Sequence, residues 1–138
     1  MYRHESSIAV RYAETDAMGV VHHASYIVWF EVGRTEWLEA LGYTYAAFER
    51  SGFFLGVAKV GAQYRRPVRY GDPVRISTWP SEIKSRAIRF EYEVRHAETD
   101  ELMVSGFTHH ILTDHDGRIR TWPAGILDLL ERNPNNEP

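Results

Sequence analysis

Apolar positions change their period along the chain, and the changes mark its elements. From Ser7 to Tyr12 the pattern alternates, with Ile8 and Val10 on one side, and predicts a short first strand. Between Ala13 and His22 the alternation lapses into a loop. From about Ala24 to Leu41 the residues Tyr26, Ile27, Phe30, Trp37, Leu38 and Leu41 recur as one face of a helix. Val28, Trp29 and Val32 add apolar surface on its other sides, so this helix is expected to be buried all round. Gly42 stands where a left-handed stop belongs. Gly33 lies inside the helix at a cost of about 1 kcal/mol against alanine, which predicts the close approach of another backbone.

A short helical piece follows near Tyr45 to Arg50, and strands take over. Val57 to Arg66 is one, and the turn YGDP at 70–73 separates it from VRISTW. PSEIKS then leads into a clean alternation. Ile88, Phe90, Tyr92 and Val94 fall between Arg89, Glu91, Glu93 and Arg95, which describes a strand with one wet face. AETDE makes the next turn, and Leu102 to Thr113 is a further strand ending at DHDG. After Pro123 a short amphipathic helix spans Ala124 to Glu131. Residues 1–132 read as one domain and 133–138, with the tail NPNNEP, as a flexible end. Short connections imply an antiparallel sheet with the helix on one face, an α+β domain. One curved sheet cannot cover so apolar a helix, which predicts a dimer.

Composition narrows the chemistry. The 138 residues are enough for one real core. A net charge of −3 provides no general basic field, so nucleic acid is not an expected partner. Lys59 and Lys84 are the only lysines, so an anion site would use arginine forks. There is no cysteine, which excludes disulfides, thiolate metal sites and a cysteine nucleophile. No run approaches a membrane span, and the cytoplasm is the expected compartment.

Asp16 sits in the first loop, followed by Ala17, Met18, Gly19, Val20 and Val21. Aspartate is a common turn residue, which is one reading. Apolar neighbours also raise a carboxylate's ground-state energy, which suits a base or a nucleophile. His22 and His23 are adjacent and, on a helix start, would point about 100° apart. His109 and His110 would point to opposite faces of a strand. Neither spacing suits a metal, and no metal or other cofactor is expected. His23 falls where the long helix begins and backbone N–H groups are unpaired, a place able to polarise a carbonyl. The chain has no G-x-S-x-G, P-loop or G-x-G-x-x-G. Arg65, Arg66 and Arg69 cluster at one strand end, while Lys84 and Arg86 flank a hairpin. Either group would suit phosphate if its members converge.

The stretch YAETDAMGVVHHASYIVWFEVGRTEWL resembles the hotdog-fold acyl-CoA thioesterases of the 4-hydroxybenzoyl-CoA thioesterase and YbgC type. The resemblance rests on Tyr12, Asp16, Gly19, His23 and Tyr26, then Phe30, Glu31 and Arg34. QYRRPVRYGDPVRI is similar to the family's second strand and turn. The resemblance implies a hotdog fold, in which a five-stranded antiparallel sheet wraps a long central helix. Two such units join their sheets with active sites at the dimer interface, and a tetramer is possible as a dimer of dimers. It implies hydrolysis of an acyl-CoA or acyl carrier protein thioester, with no cofactor. Asp16 would be the catalytic carboxylate, either nucleophile or base. The His23 N–H would polarise the carbonyl, and Tyr12 would line the same pocket. Gly19, Val20 and Tyr26 would contact substrate, and Lys84, Ser85 and Arg86 would hold the CoA phosphates. The alternatives are a hydratase or dehydratase on the same fold, and a non-catalytic acyl-CoA-binding module.

Overall fold

A computed structural model describes residues 1–136. Strand β1 (His4–Ala9) opens the chain, and helix α1 (Ser25–Ala40) follows the first loop. After α2 (Tyr45–Arg50) come β2 (Phe53–Tyr64), β3 (Pro73–Lys84), β4 (Ala87–His96) and β5 (Leu102–Asp114). A short α3 (Ile126–Leu130) precedes the end. The five strands form one antiparallel sheet in the order β1-β3-β4-β5-β2.

One face of the sheet carries the alternation seen in β4. Ile88, Phe90, Tyr92 and Val94 are all buried, and α1 lies on them. Phe30 stacks on Tyr92 with ring centroids 4.4 Å apart, and Trp37 meets Phe90 edge-on at 5.2 Å. Gly106 on β5 leaves the room that Phe30 fills: a Cβ there would fall 2.5 Å from the ring. Gly33 of α1 has the same purpose, but the neighbour is not a backbone. Its absent side chain makes room for the Thr78 hydroxyl on β3, which would sit 2.3 Å from an added Cβ.

Several boundaries differ from expectation, each for a local reason. The first strand runs earlier, from His4. It ends before Tyr12 because Tyr12–Glu14 coil into a 3-10 turn in which the Glu14 carboxylate accepts the Arg11 N–H at 2.8 Å. Strand β2 begins at Phe53, just after the left-handed Gly52, and stops at Tyr64. Its ladder ends there because Arg65 N–H and Arg66 N–H both converge on Met103 C=O. PSEIK continues β3 rather than turning. Proline is tolerated because the register slips between Pro80 and Glu82, and β1 pairs no further along β3 than Thr78.

The last helix is shorter than expected, starting after the left-handed Gly125. Within one chain α1 is not buried all round: Val28 is 53% exposed and Glu31 faces out beside it. Gly42, at φ +87°, does end α1, donating to Glu39 C=O while Tyr43 N–H returns to Leu38 C=O. In the expected flexible end, Pro134–Asn136 form a 3-10 turn, and Glu137 and Pro138 lie outside the described residues.

Candidate active site

The loop between β1 and α1 folds back on itself. Thr15 pairs with Val21, and Val20 pairs with Arg69 beyond the end of β2. Asp16 N–H donates to Val20 C=O at 2.8 Å, and Val21 N–H donates to Val68 C=O at 2.7 Å. This closure brings the start of α1 back to Asp16. A cavity of about 310 Å³ results, lined by Asp16, Val20, His23, Tyr26, Tyr64 and Arg65 among others.

Asp16 is a turn residue and something more. Its Oδ1 accepts Met18 N–H at 2.8 Å and Val20 N–H at 3.4 Å. Its Oδ2 has no partner among the described residues. The turn therefore fixes the carboxylate and leaves one oxygen available. Gly19 supplies the left-handed conformation, φ +77°, that this turn needs, but lies outside the cavity lining.

The start of α1 offers the complementary group. His22 N–H donates to Glu14 C=O at 2.7 Å, Ala24 N–H to His22 Nδ1 at 3.2 Å and Ser25 N–H to His22 C=O at 2.9 Å. His23 N–H has no acceptor among the described residues. The two imidazoles lie side by side, centroids 4.2 Å apart and tilted by 31°. The divergence expected of successive helical residues fails because both precede the helix. Tyr26 is buried in the wall, and burial, partly offset by a hydrogen bond with the Val68 backbone, holds its phenol above the ordinary value.

Two residues of this site had no signal of their own in the sequence. Glu14 is buried at 7% exposure, and its Oε2 accepts Trp29 Nε1–H at 2.7 Å. Burial raises its pKa, but the hydrogen bonds from Arg11 N–H and Trp29 and the Arg11 charge outweigh that, so the carboxyl sits below its ordinary value. Glu14 thus ties the Asp16 loop to α1. Tyr64, at the end of β2, donates its hydroxyl to His23 C=O at 2.9 Å. A glutamate fifteen residues before a tryptophan and a tyrosine at a strand end are too common to reveal such bonds.

Not every expected residue gathers here. Tyr12 is 77% exposed and meets Tyr70 edge-on at 5.9 Å, outside the cavity, because the 3-10 turn carries it outward. Lys84, Ser85 and Arg86 form the two-residue turn between β3 and β4 and its flank. Trp122 holds that hairpin, donating Nε1–H to Lys84 C=O at 2.6 Å and N–H to Ser85 C=O at 3.1 Å. The sheet register separates it from the cavity. Val94 pairs with Val104 near the cavity, and Ala87 lies seven steps of about 3.3 Å along β4, roughly 23 Å away. Lys84 pairs there with Glu82 at 3.0 Å. The arginines within one chain's cavity are instead Arg65 and Arg66. Arg66 is paired with Glu101 at 2.8 Å, and Arg65 donates to the Gln63 side chain at 3.0 Å.

A model of the thioesterase-like superfamily matches residues 10–130, spanning the first loop, α1 and strands β2 to β5. The chain belongs to this superfamily. It is 34% identical to YneP of Bacillus subtilis, provisionally named an acyl-CoA thioesterase, over 84% of this chain and 83% of that one. The acyl-CoA thioester hydrolase YbgC of Escherichia coli O157:H7 is 32% identical over 66% of this chain and 68% of its own. Among solved structures, the DHNA-CoA thioesterase of Staphylococcus aureus superposes with a TM-score of 0.87 at 31% identity, covering 93% of this chain and 86% of that one. The hotdog architecture of this superfamily member is therefore the expected one. Its long helix lies on a single five-stranded antiparallel sheet. Among the described residues no group of three or more His, Cys, Asp or Glu is placed to hold a metal ion, and no helix is long and apolar enough to cross a membrane.

Proposed function

We propose that this superfamily member hydrolyses acyl-CoA thioesters to the free acid and coenzyme A at the cavity between Asp16 and the start of α1. The observation that carries the reading is the pairing of two unengaged groups in one cavity: Asp16 Oδ2 and the His23 N–H. A thioester carbonyl is electrophilic enough for a carboxylate, a preset N–H donor and water to suffice. Asp16 delivers the attack, either by taking a proton from water as hydroxide adds to the carbonyl carbon, or by adding itself to form an anhydride that water opens. The oxygen's developing charge is met by His23 N–H at the positive end of α1. In the base route the tetrahedral adduct collapses, the C–S bond breaks and the proton held by Asp16 leaves with the thiolate. In the nucleophile route the C–S bond breaks as the anhydride forms, and the water that then opens it gives the acid, the free Asp16 carboxylate and the thiol's proton. A single turnover in 18O-labelled water that leaves label in the Asp16 carboxylate marks the nucleophile, since the base route places label only in the product acid.

The proposal includes a homodimer. Supporting it, β2 is an edge strand with Val57 52% and Val60 46% exposed, and the cavity opens beside it. Met18 on the Asp16 turn, and Tyr12 and Tyr70, which meet edge-on, are exposed as well and need cover. Tyr12 then lines the completed pocket, and Lys84, Ser85 and Arg86 reach CoA phosphates across the dimer. Cytoplasmic residence belongs to the same proposal, since a chain without cysteine makes no use of an oxidising compartment.

Thiol release from a panel of acyl-CoAs and one acyl carrier protein thioester, with wild type beside Asp16→Asn, tests the reading. Turnover on some members that is lost in the variant supports it, and the preferred member names the acyl class. No release from any member, with CoA binding retained, overturns it in favour of a binding module.

A further inference from the structure

Helix α1 starts without a cap of its own. Ala24, at the N-cap position, has helical torsions and no side-chain acceptor. The entry is instead held from two outside elements. On one side Glu14 C=O takes His22 N–H, and Glu14 is itself fixed by Trp29. On the other, Tyr64 at the end of β2 donates its hydroxyl to His23 C=O at 2.9 Å, with its ring 5.5 Å from that of Tyr26.

We propose that Tyr64 is a positioning residue for thioester hydrolysis: its hydroxyl fixes residue 23 so that the His23 N–H meets the developing oxyanion. The inference rests on the thioesterase reading of the site. Oxyanion stabilisation depends on a donor already aimed where charge will appear, and a residue free to rock must be reorganised at the moment of reaction. Residue 23 precedes the regular helix, so no intrahelical ladder holds its carbonyl. The Tyr64 bond replaces that ladder, and it ties the sheet's edge strand to the reacting end of α1.

Tyr64→Phe removes the hydroxyl and keeps the ring. The expected result is a kcat lower by about tenfold, the equivalent of roughly one hydrogen bond, with KM within about twofold of wild type and little change in melting temperature. An unchanged kcat overturns the proposal. So does a loss of kcat matched by a rise in KM and a lower melting temperature, which marks a merely structural contact. Asp16→Asn, assayed in parallel, separates this from the wider reading. If Asp16→Asn is inactive while Tyr64→Phe is unchanged, only the Tyr64 inference falls. If Asp16→Asn turns over like wild type, the site reading falls and takes the inference with it.

Discussion

His110 is the residue through which acid should unfold this protein. It lies on β5 at 1% exposure, against Phe90, with Nε2 2.8 Å from Thr108 Oγ1 and Nδ1 unpartnered. Thr108 in turn meets the Tyr92 hydroxyl at 2.6 Å. Burial first, and then the charge of Arg34 nearby, pull its pKa from the ordinary 6.5 to about 4. The folded state therefore refuses a proton that the unfolded chain accepts. Above the ordinary value neither state is protonated, and the full stability is present. As pH falls from 6.5 towards 4 the unfolded state gains protons first, so stability declines by up to about 1.4 kcal/mol per pH unit. Over that window the total is about 3 kcal/mol, a large share of a small domain's 5–15 kcal/mol or so.

The assay is urea unfolding from about pH 7.5 down to about pH 4.5, for wild type and His110→Gln, which cannot titrate. His110→Gln starts less stable because it disturbs a packed site, but its curve should be flatter by the His110 contribution. Glu14 and the other carboxylates titrate in both proteins and cancel in the difference. Parallel curves across the window would refute the reasoning, since they would mean that His110 takes up its proton as readily folded as unfolded.

Three further outcomes follow from other contacts. Gly33→Ala should lose about 1–2 kcal/mol despite a better helix residue, because its Cβ meets Thr78 Oγ1. Pairing it with Thr78→Ala, which removes a buried hydroxyl lacking a partner, should recover most of that loss in thermal melts. Glu14→Ala should cost about 1–3 kcal/mol by leaving Trp29 Nε1–H and Arg11 N–H without their acceptor, and should lower kcat by loosening the Asp16 loop. Lys84→Ala with Arg86→Ala should raise KM for acyl-CoA but not for a short thioester lacking the nucleotide. If Arg65→Ala does this and the double variant does not, the phosphates lie at the cavity's own arginine.

What could be read from residues alone followed from how local each cause was. The β4 strand was legible because alternation is a property of neighbours, and every expected inward residue is buried. Gly42 was legible because a stop signal belongs to its own helix. Gly33 was half legible: the helix period showed that something must come close, but only the crossing of α1 over β3 makes it the hydroxyl of Thr78. PSEIK misled because proline usually ends a strand, and the relief came from a bulge and from a neighbour strand that had already stopped.

The candidate site divides in the same way. Asp16 and His23 are seven positions apart and share a loop, so their meeting needed only that loop to close, which Thr15 and Val21 accomplish. Tyr64 is 41 positions from His23, and nothing in the chain announces that bond. Such long-range contacts decide whether the N–H at residue 23 is aimed or merely present. In the proposed mechanism the loop motif supplies the reacting groups. On that proposal the precision of their placement comes from Glu14, Trp29 and Tyr64, and those are the positions at which relatives with the same loop would diverge in rate.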